Sequence, residues 1–372
     1  MKALIYILTV VVSLSSCIKP YDDPPIQATG SILVIEGGIS DAPPPYNVML
    51  TKSAVYNSPK QTPTPIKFAV ISITDNLGHV EKLIEKPQGT YNTSATGMRG
   101  IIGNSYKLKV VLPDKNIYES NFVTLNPSPV IDSLYAEKGQ LQTLIQQPDG
   151  TYIENIALGL NIYANVTPKA GQDYYYKFKG SSIQLIQQTV YLLNKYLPTP
   201  GGPPQTYEQY IWNTSILDIQ KDLKASTVQN LAPIKRMFVG FVPEFYTLAQ
   251  DSFHDPERSN GAIVTSEVYS VPKEIYEIYT EENDQGKPTN SLFDPIPTQI
   301  ESNIVCTSNS SIQVLGYFSA YSIVRKYGYF YWIEGSGIIT TKTLDSIPSD
   351  IPSSGSIADT AGVGIPNFWI FP

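Results

Sequence analysis

The sequence predicts a mainly β protein, and three observations carry that expectation. Tyrosine (26), proline (30) and glycine (25) are abundant in the 372-residue chain, a composition that suits short strands joined by turns. Apolar residues alternate with polar ones in short runs along most of its length, the period of a half-buried strand. Only one stretch, beginning near Pro272, repeats its apolar residues at clear helical spacing. The length exceeds what one hydrophobic core usually spans, so two folded units are expected.

Residues 1–16 read as a signal peptide. Met1-Lys2 brings a positive charge and Ala3–Val12 an apolar run, too short to span a bilayer, which takes about 20 residues. Leu14-Ser15-Ser16-Cys17 follows and resembles the lipobox of bacterial lipoproteins, in which small residues flank the cleavage point and the Cys thiol receives a diacylglycerol. Cys17 is therefore the expected lipid attachment site and the link to the membrane. Residues 17–29 then form a tether: Pro20, Pro24 and Pro25 fix the backbone and Asp22-Asp23 resist burial. Its Lys-then-acidic spacing, interrupted by Pro20 and Tyr21, resembles the surface-export signal of Bacteroidetes lipoproteins. The expected location is the outer membrane, lipid-anchored and facing outward.

Residues 30–126 read as a chain of short strands. Ile32–Gly38, Asn47–Thr51, Ala69–Thr74, Val80–Leu83, Gly89–Asn92, Ser105–Leu112 and Lys115–Tyr118 alternate, and Asp75-Asn76-Leu77-Gly78 is a hairpin turn signal. This spacing predicts a β-sandwich, and the order of its motifs resembles immunoglobulin-like and carboxypeptidase-regulatory-like modules. Asn126-Pro127-Ser128-Pro129 interrupts the pattern and is the expected boundary. Residues 130–372 are expected to form a second, larger β-rich domain. Ile131–Tyr135, Ala157–Ala164 and Tyr174–Gly180 alternate, Pro198–Pro204 is a loop, and a short helix is predicted near 272–282 with Val271, Ile275, Ile278 and Tyr279 on one face. Ile312–Ser319 and Tyr327–Ile333 read as two neighbouring buried strands.

Together, the lipobox, Leu33–Asp41 (LVIEGGISD), Ile131–Tyr135 (IDSLY), Ser291–Ile304 (SLFDPIPTQIESNI) and Val314–Ala320 (VLGYFSA) resemble the Bacteroidetes lipoproteins catalogued as domain of unknown function 4249. That resemblance spans nearly the whole chain. It implies an envelope lipoprotein that accompanies TonB-dependent outer-membrane receptors, and it brings no catalytic residues with it.

The residues themselves offer little chemistry. A net charge of −7, without a Lys/Arg stripe, argues against nucleic-acid partners. With Cys17 lipidated, Cys306 has no intrachain partner and reads as a buried thiol. His79 reads as an exposed hairpin residue, and His254, beside Asp255-Pro256, as part of a turn without a nucleophile elbow. The Cys and His count does not make a zinc cluster, and no nucleotide or calcium loop is present, so no cofactor is expected. Glycosidases need only two carboxylates, but neither Asp22-Asp23 nor Glu281-Glu282 can be placed on facing walls.

Aromatic residues remain. Tyr191, Tyr196, Tyr207, Tyr210 and Trp212 flank the Pro-Gly loop, where such rings either make a binding surface or coat a sheet. The expected function is that of a noncatalytic binding or accessory module for a TonB-dependent receptor or another envelope protein. The alternative is a surface hydrolase acting on glycans or peptides.

Overall fold

A computed structural model of the chain describes residues 31–53, 62–147, 149–191, 206–217, 222–227, 231–243, 245–246, 257–258, 261–285, 300–332, 339–349, 351 and 357–358. The protein is mainly β, with several sheets and a single short α-helix among the described residues. The early strands lie where alternation placed them: Leu33–Ser40, Asn47–Lys52, Val70–Asp75, Val80–Lys82, Thr90–Asn92 and Ser105–Val111. The Asp75–Gly78 turn also forms. Asp75 Oδ1 accepts the backbone N–H groups of Leu77 and His79, and Gly78 takes the positive φ (89°) that the turn needs. His79 is exposed and its Nδ1 lies 2.8 Å from Asp75 Oδ2.

The largest sheet runs through the middle of the molecule. Tyr174–Tyr191 pairs with Gly261–Val271, which pairs with Val314–Trp332, then come Leu33–Ser40, Asn47–Lys52 and Thr90–Asn92. The two strands expected within 312–333 are therefore one strand of 19 residues. No Gly-Pro or Asn-Gly signal separates its halves. Its first half runs parallel to Leu33–Ser40 and its second half antiparallel to Gly261–Val271. One strand thus joins the sequence's beginning to its later part.

Two smaller sheets cover this spine. Ile304–Cys306, Ile117–Ser120, Ser105–Val111, Val70–Asp75 and Val80–Lys82 form one, and Val130–Gln146, Tyr152–Thr167 and Ile234–Pro243 the other. The first core packs Ile35, Val48, Tyr91, Ile73, Leu108 and Tyr118 with Ile304, Cys306 and Phe318. Residues 304–320 thus complete a core otherwise made by residues 33–125. Cys306 is buried there as a small apolar group, as its sequence context suggested. The second core packs Leu160, Ile162 and Val166 against Tyr176, Phe178, Val264 and Phe330.

The helix spans Lys273–Gln285, three residues beyond the expected end. Pro272 precedes it, and its carbonyl accepts the Tyr276 N–H. The expected face is the buried one: Val271, Ile275 and Ile278 pack with Tyr269, Tyr279, Tyr317 and Tyr321 on the central sheet.

A lysine–tyrosine crevice and an apolar ribbon

Beside the helix, one face of the central sheet is left open as a crevice of about 250 Å³. Strand register places its walls. Thr90 lies opposite Met49, Met49 opposite Glu36, and Glu36 beside Tyr317. On the other side Lys177 lies opposite Tyr269, and Lys179 opposite Glu267. Because side chains two apart on a strand share a face, Lys177 and Lys179 both face the opening. A Cβ at Gly38 would come within 2.6 Å of the Ser319 carbonyl oxygen, so glycine there lets the floor lie close to the next strand.

Tyrosine rings line the crevice and brace one another. Tyr279 reaches down from the helix, stands edge-on to Tyr317 (centroids 5.3 Å apart, 84° between planes) and donates to the Tyr317 hydroxyl at 3.1 Å. Tyr269 and Tyr321 pack at 5.7 Å, and the Tyr269 hydroxyl donates to Glu267, which also accepts from Arg325. The Lys177 ammonium sits 3.5 Å above the Tyr279 ring centroid, and that of Lys179 4.9 Å from the Tyr269 centroid, both within cation–π range. Burial pushes the Tyr279, Tyr317 and Tyr321 hydroxyls up and pulls Lys177 down from its ordinary value, so the phenols remain proton donors.

A second cleft of about 250 Å³ lies on the outer side of the helix, where Glu274, Glu277 and Glu281 face Glu301 and Asn303. Asn303 is itself tied down: it bonds the Phe318 backbone through both its oxygen and its nitrogen. Among the described residues, no group of three His, Cys, Asp or Glu could hold a metal ion, and no helix is long and apolar enough to cross a membrane.

The other prominent surface is a ribbon. Val130–Gln146 and Tyr152–Thr167 pair along their full length, but the third strand, Ile234–Pro243, accompanies them only as far as Gly159. Beyond it, among the described residues, 140–146 and 152–158 pair in strand register only with each other. At ~3.3 Å per residue this outer part is about 20 Å long. Asp149 closes the tip by accepting from the Thr151 N–H, and Gly150 supplies φ +85°. Both ribbon faces expose apolar side chains among polar ones. Leu144 (70% exposed), Tyr152 (62%), Ile156 and Leu158 lie on one, and Leu141 and Ile153 on the other.

The sequence-derived aromatic set is divided by the structure. Trp212 is wholly buried, opposite Leu185 and packed with Ile263 and Tyr329, which places it in the sheet interior. Tyr191, Tyr207 and Tyr210 lie on the paired strands Tyr174–Tyr191 and Thr206–Leu217, but their side chains, like all of Tyr196, Cys17 and His254, fall outside the described residues. The crevice lysines and the ribbon were not singled out from sequence. For the lysines, the available signal was the i, i+2 pair inside Tyr174–Gly180; for the ribbon it was Pro148-Asp149-Gly150, a turn sequence between two apolar runs.

The model of a family described as a domain of unknown function (DUF4249) matches residues 18–327. No curated protein matches the chain.

Proposed function

The chain belongs to the DUF4249 family, and on that premise we propose that it is a noncatalytic, lipid-anchored module of the bacterial envelope that binds a protein partner through the ribbon at 140–158. The observation that supports this most is the ribbon's exposure of aliphatic and aromatic side chains on both faces. A two-stranded ribbon is only marginally stable by itself in water, and contiguous exposed apolar surface marks interaction sites. Gln140, Gln142, Gln146 and Glu154 share a face with Leu144, Tyr152 and Ile156, and among the described residues the outer backbone groups of 140–146 and 152–158 have no strand partner. Hydrocarbon cannot satisfy such groups, whereas a protein can add a strand to the edge and hydrogen-bond the amides. A protein surface therefore suits the ribbon better than a lipid one.

The N-terminal features give the setting: lipid on Cys17, the extended tether at 17–29, and an outer-membrane location facing outward. A TonB-dependent receptor is the partner that the family resemblance suggests. The test is affinity purification of the lipidated chain from its native membrane, beside a variant carrying Leu144→Ser, Tyr152→Ser and Ile156→Ser. A partner retained by the parent and lost by the folded variant supports the proposal; equal recovery rejects the ribbon as the interface. The hydrolase alternative would run through Glu281 and Glu301 across the outer cleft. Release of reducing sugar or peptide by the parent, abolished by Glu301→Gln, would establish it instead.

A further inference from the structure

We infer that the lysine–tyrosine crevice is a binding site for a small hydroxylated monocarboxylate, the size of one acidic sugar, whose carboxylate is held between Lys177 and Lys179.

The argument begins with what these two ammonium groups lack. Among the described residues, no carboxylate lies within ion-pairing distance of either, and the contact each makes is with a tyrosine ring. An aromatic face attracts a cation but accepts no ordinary hydrogen bond, so the three N–H donors of each lysine remain available. The nearby acids are otherwise engaged. Glu267 is taken by Tyr269 and Arg325, and Asp222 accepts from Asn283 at 3.2 Å. Asp222 and Glu282 act on Lys177 through charge alone, from beyond ion-pairing distance, so they leave its N–H donors open.

The hydroxyls point the same way. Tyr317 receives the Tyr279 proton and keeps its own to give, and Tyr321, on the same wall, has no acceptor among the described residues. Donors therefore outnumber acceptors along one side, which is the pattern that an anion satisfies. Charge balance selects how much anion. Two lysines face Glu36, the one carboxylate in the lining, and Asp222 and Glu282 offset Lys177 from outside it, so the surplus positive charge is at most one, which suits a carboxylate better than a phosphate dianion. The opposite side supplies Glu36, Asn47 and Thr90, groups that pair with hydroxyls. Met49 and the tyrosine rings between them offer the apolar surface against which a pyranose ring packs. A space of about 250 Å³ admits one such ring.

The experiment is a titration of the folded chain with galacturonate, trigalacturonate, galactose and inorganic phosphate, followed by calorimetry or by ligand-observed NMR. Galacturonate should bind in the millimolar range, weakening as salt rises, and galactose at least tenfold more weakly. Tighter binding of trigalacturonate would identify the ligand as a residue of an acidic glycan, and equal binding a free acid; either outcome agrees with the site. Lys177→Met removes a half-desolvated, unpaired ammonium and should leave the melting temperature unchanged or higher while lowering galacturonate affinity at least tenfold. Lys179→Gln, at an exposed position, is the second variant and should weaken binding several-fold. The inference fails if galacturonate does not bind at millimolar concentration, if galactose binds as well, if phosphate binds more tightly, or if both lysine variants retain parental affinity.

Discussion

Trp212→Ala should destabilise the fold and leave partner binding to the surviving folded protein intact. The indole is wholly buried among Leu185, Ile263 and Tyr329, between strands of the central sheet. A buried aromatic removes roughly 150–250 Å² from water, which at about 25 cal/mol per Å² amounts to ~4–6 kcal/mol. Alanine recovers part of that area and the cavity relaxes in part, so a loss of about 3–5 kcal/mol is expected. For a domain of 150–250 residues each kcal/mol moves the melting temperature by about 2–4 °C, giving a drop of roughly 6–20 °C, at the lower end for a chain of this size. Trp212→Phe keeps most of the ring and should lose less than half as much. Thermal melts and co-purification on both variants decide the matter. An unchanged melting temperature together with lost partner recovery would refute the core assignment and restore Trp212 to the binding surface expected from sequence.

Gly316→Ala tests the joint between the sequence's two ends: φ there is +89° and a Cβ would meet the Ile35 carbonyl oxygen at 2.1 Å, so stability should fall by more than ~1 kcal/mol, read by chemical denaturation. Hydrogen bonding and charge from Lys107 and Lys109 hold the Glu119 carboxyl below its ordinary value. Its stabilising contribution is accordingly complete above the unfolded value of about 4.3 and is lost as pH falls through the lower folded one, by under ~1 kcal/mol for so exposed a pair; Glu119→Gln should flatten that part of the acid-denaturation curve. A fragment of residues 30–125 lacks Ile304, Cys306, Val314 and Phe318 of its own core, and its circular-dichroism melt should be broad and non-cooperative unless residues 300–322 are supplied. Cys17→Ser should abolish palmitate labelling, and equal label in parent and variant would reject lipidation.

Elements set by local pattern were legible in the sequence. The Asp75–Gly78 hairpin depends on an Asx turn and one glycine, both within five residues. The helix at Lys273–Gln285 depends on Pro272 and an apolar stripe, which a periodicity of 3.6 reveals. The single strand Val314–Trp332 was read as two because a long strand, half in one packing environment and half in another, loses the uniform alternation that marks its continuity. Leu33–Ser40 gave no sign that its neighbour would be the distant segment Val314–Tyr321, since parallel pairing leaves no turn signal between partners. The expected boundary at Asn126–Pro129 rests on a break in pattern, and a pattern break says nothing about which later residues, such as Ile304 and Phe318, return to fill the earlier core.

The candidate surfaces were less legible for a related reason. Every residue of the crevice has an ordinary local role: Lys177 and Lys179 occupy alternate positions of a strand, Tyr279 lies on the buried side of a helix, and Glu36 belongs to the first strand. Their meaning arises from register, which sets Glu36 beside Tyr317 and Lys177 opposite Tyr269, and from the helix that brings Tyr279 over the ammonium. The clustered aromatics at 191–212 drew attention through density of ring residues alone, and density does not distinguish a surface from an interior: Trp212, the largest of them, fills the sheet. A lysine lodged beside tyrosine rings, with no carboxylate at ion-pairing distance among the described residues, is the more discriminating signal, because a half-buried ammonium costs stability unless something supplies its acceptors. At Lys177 the described residues supply a ring at short range and the carboxylates of Asp222 and Glu282 only from beyond ion-pairing distance, which leaves its N–H donors to the ligand inferred above.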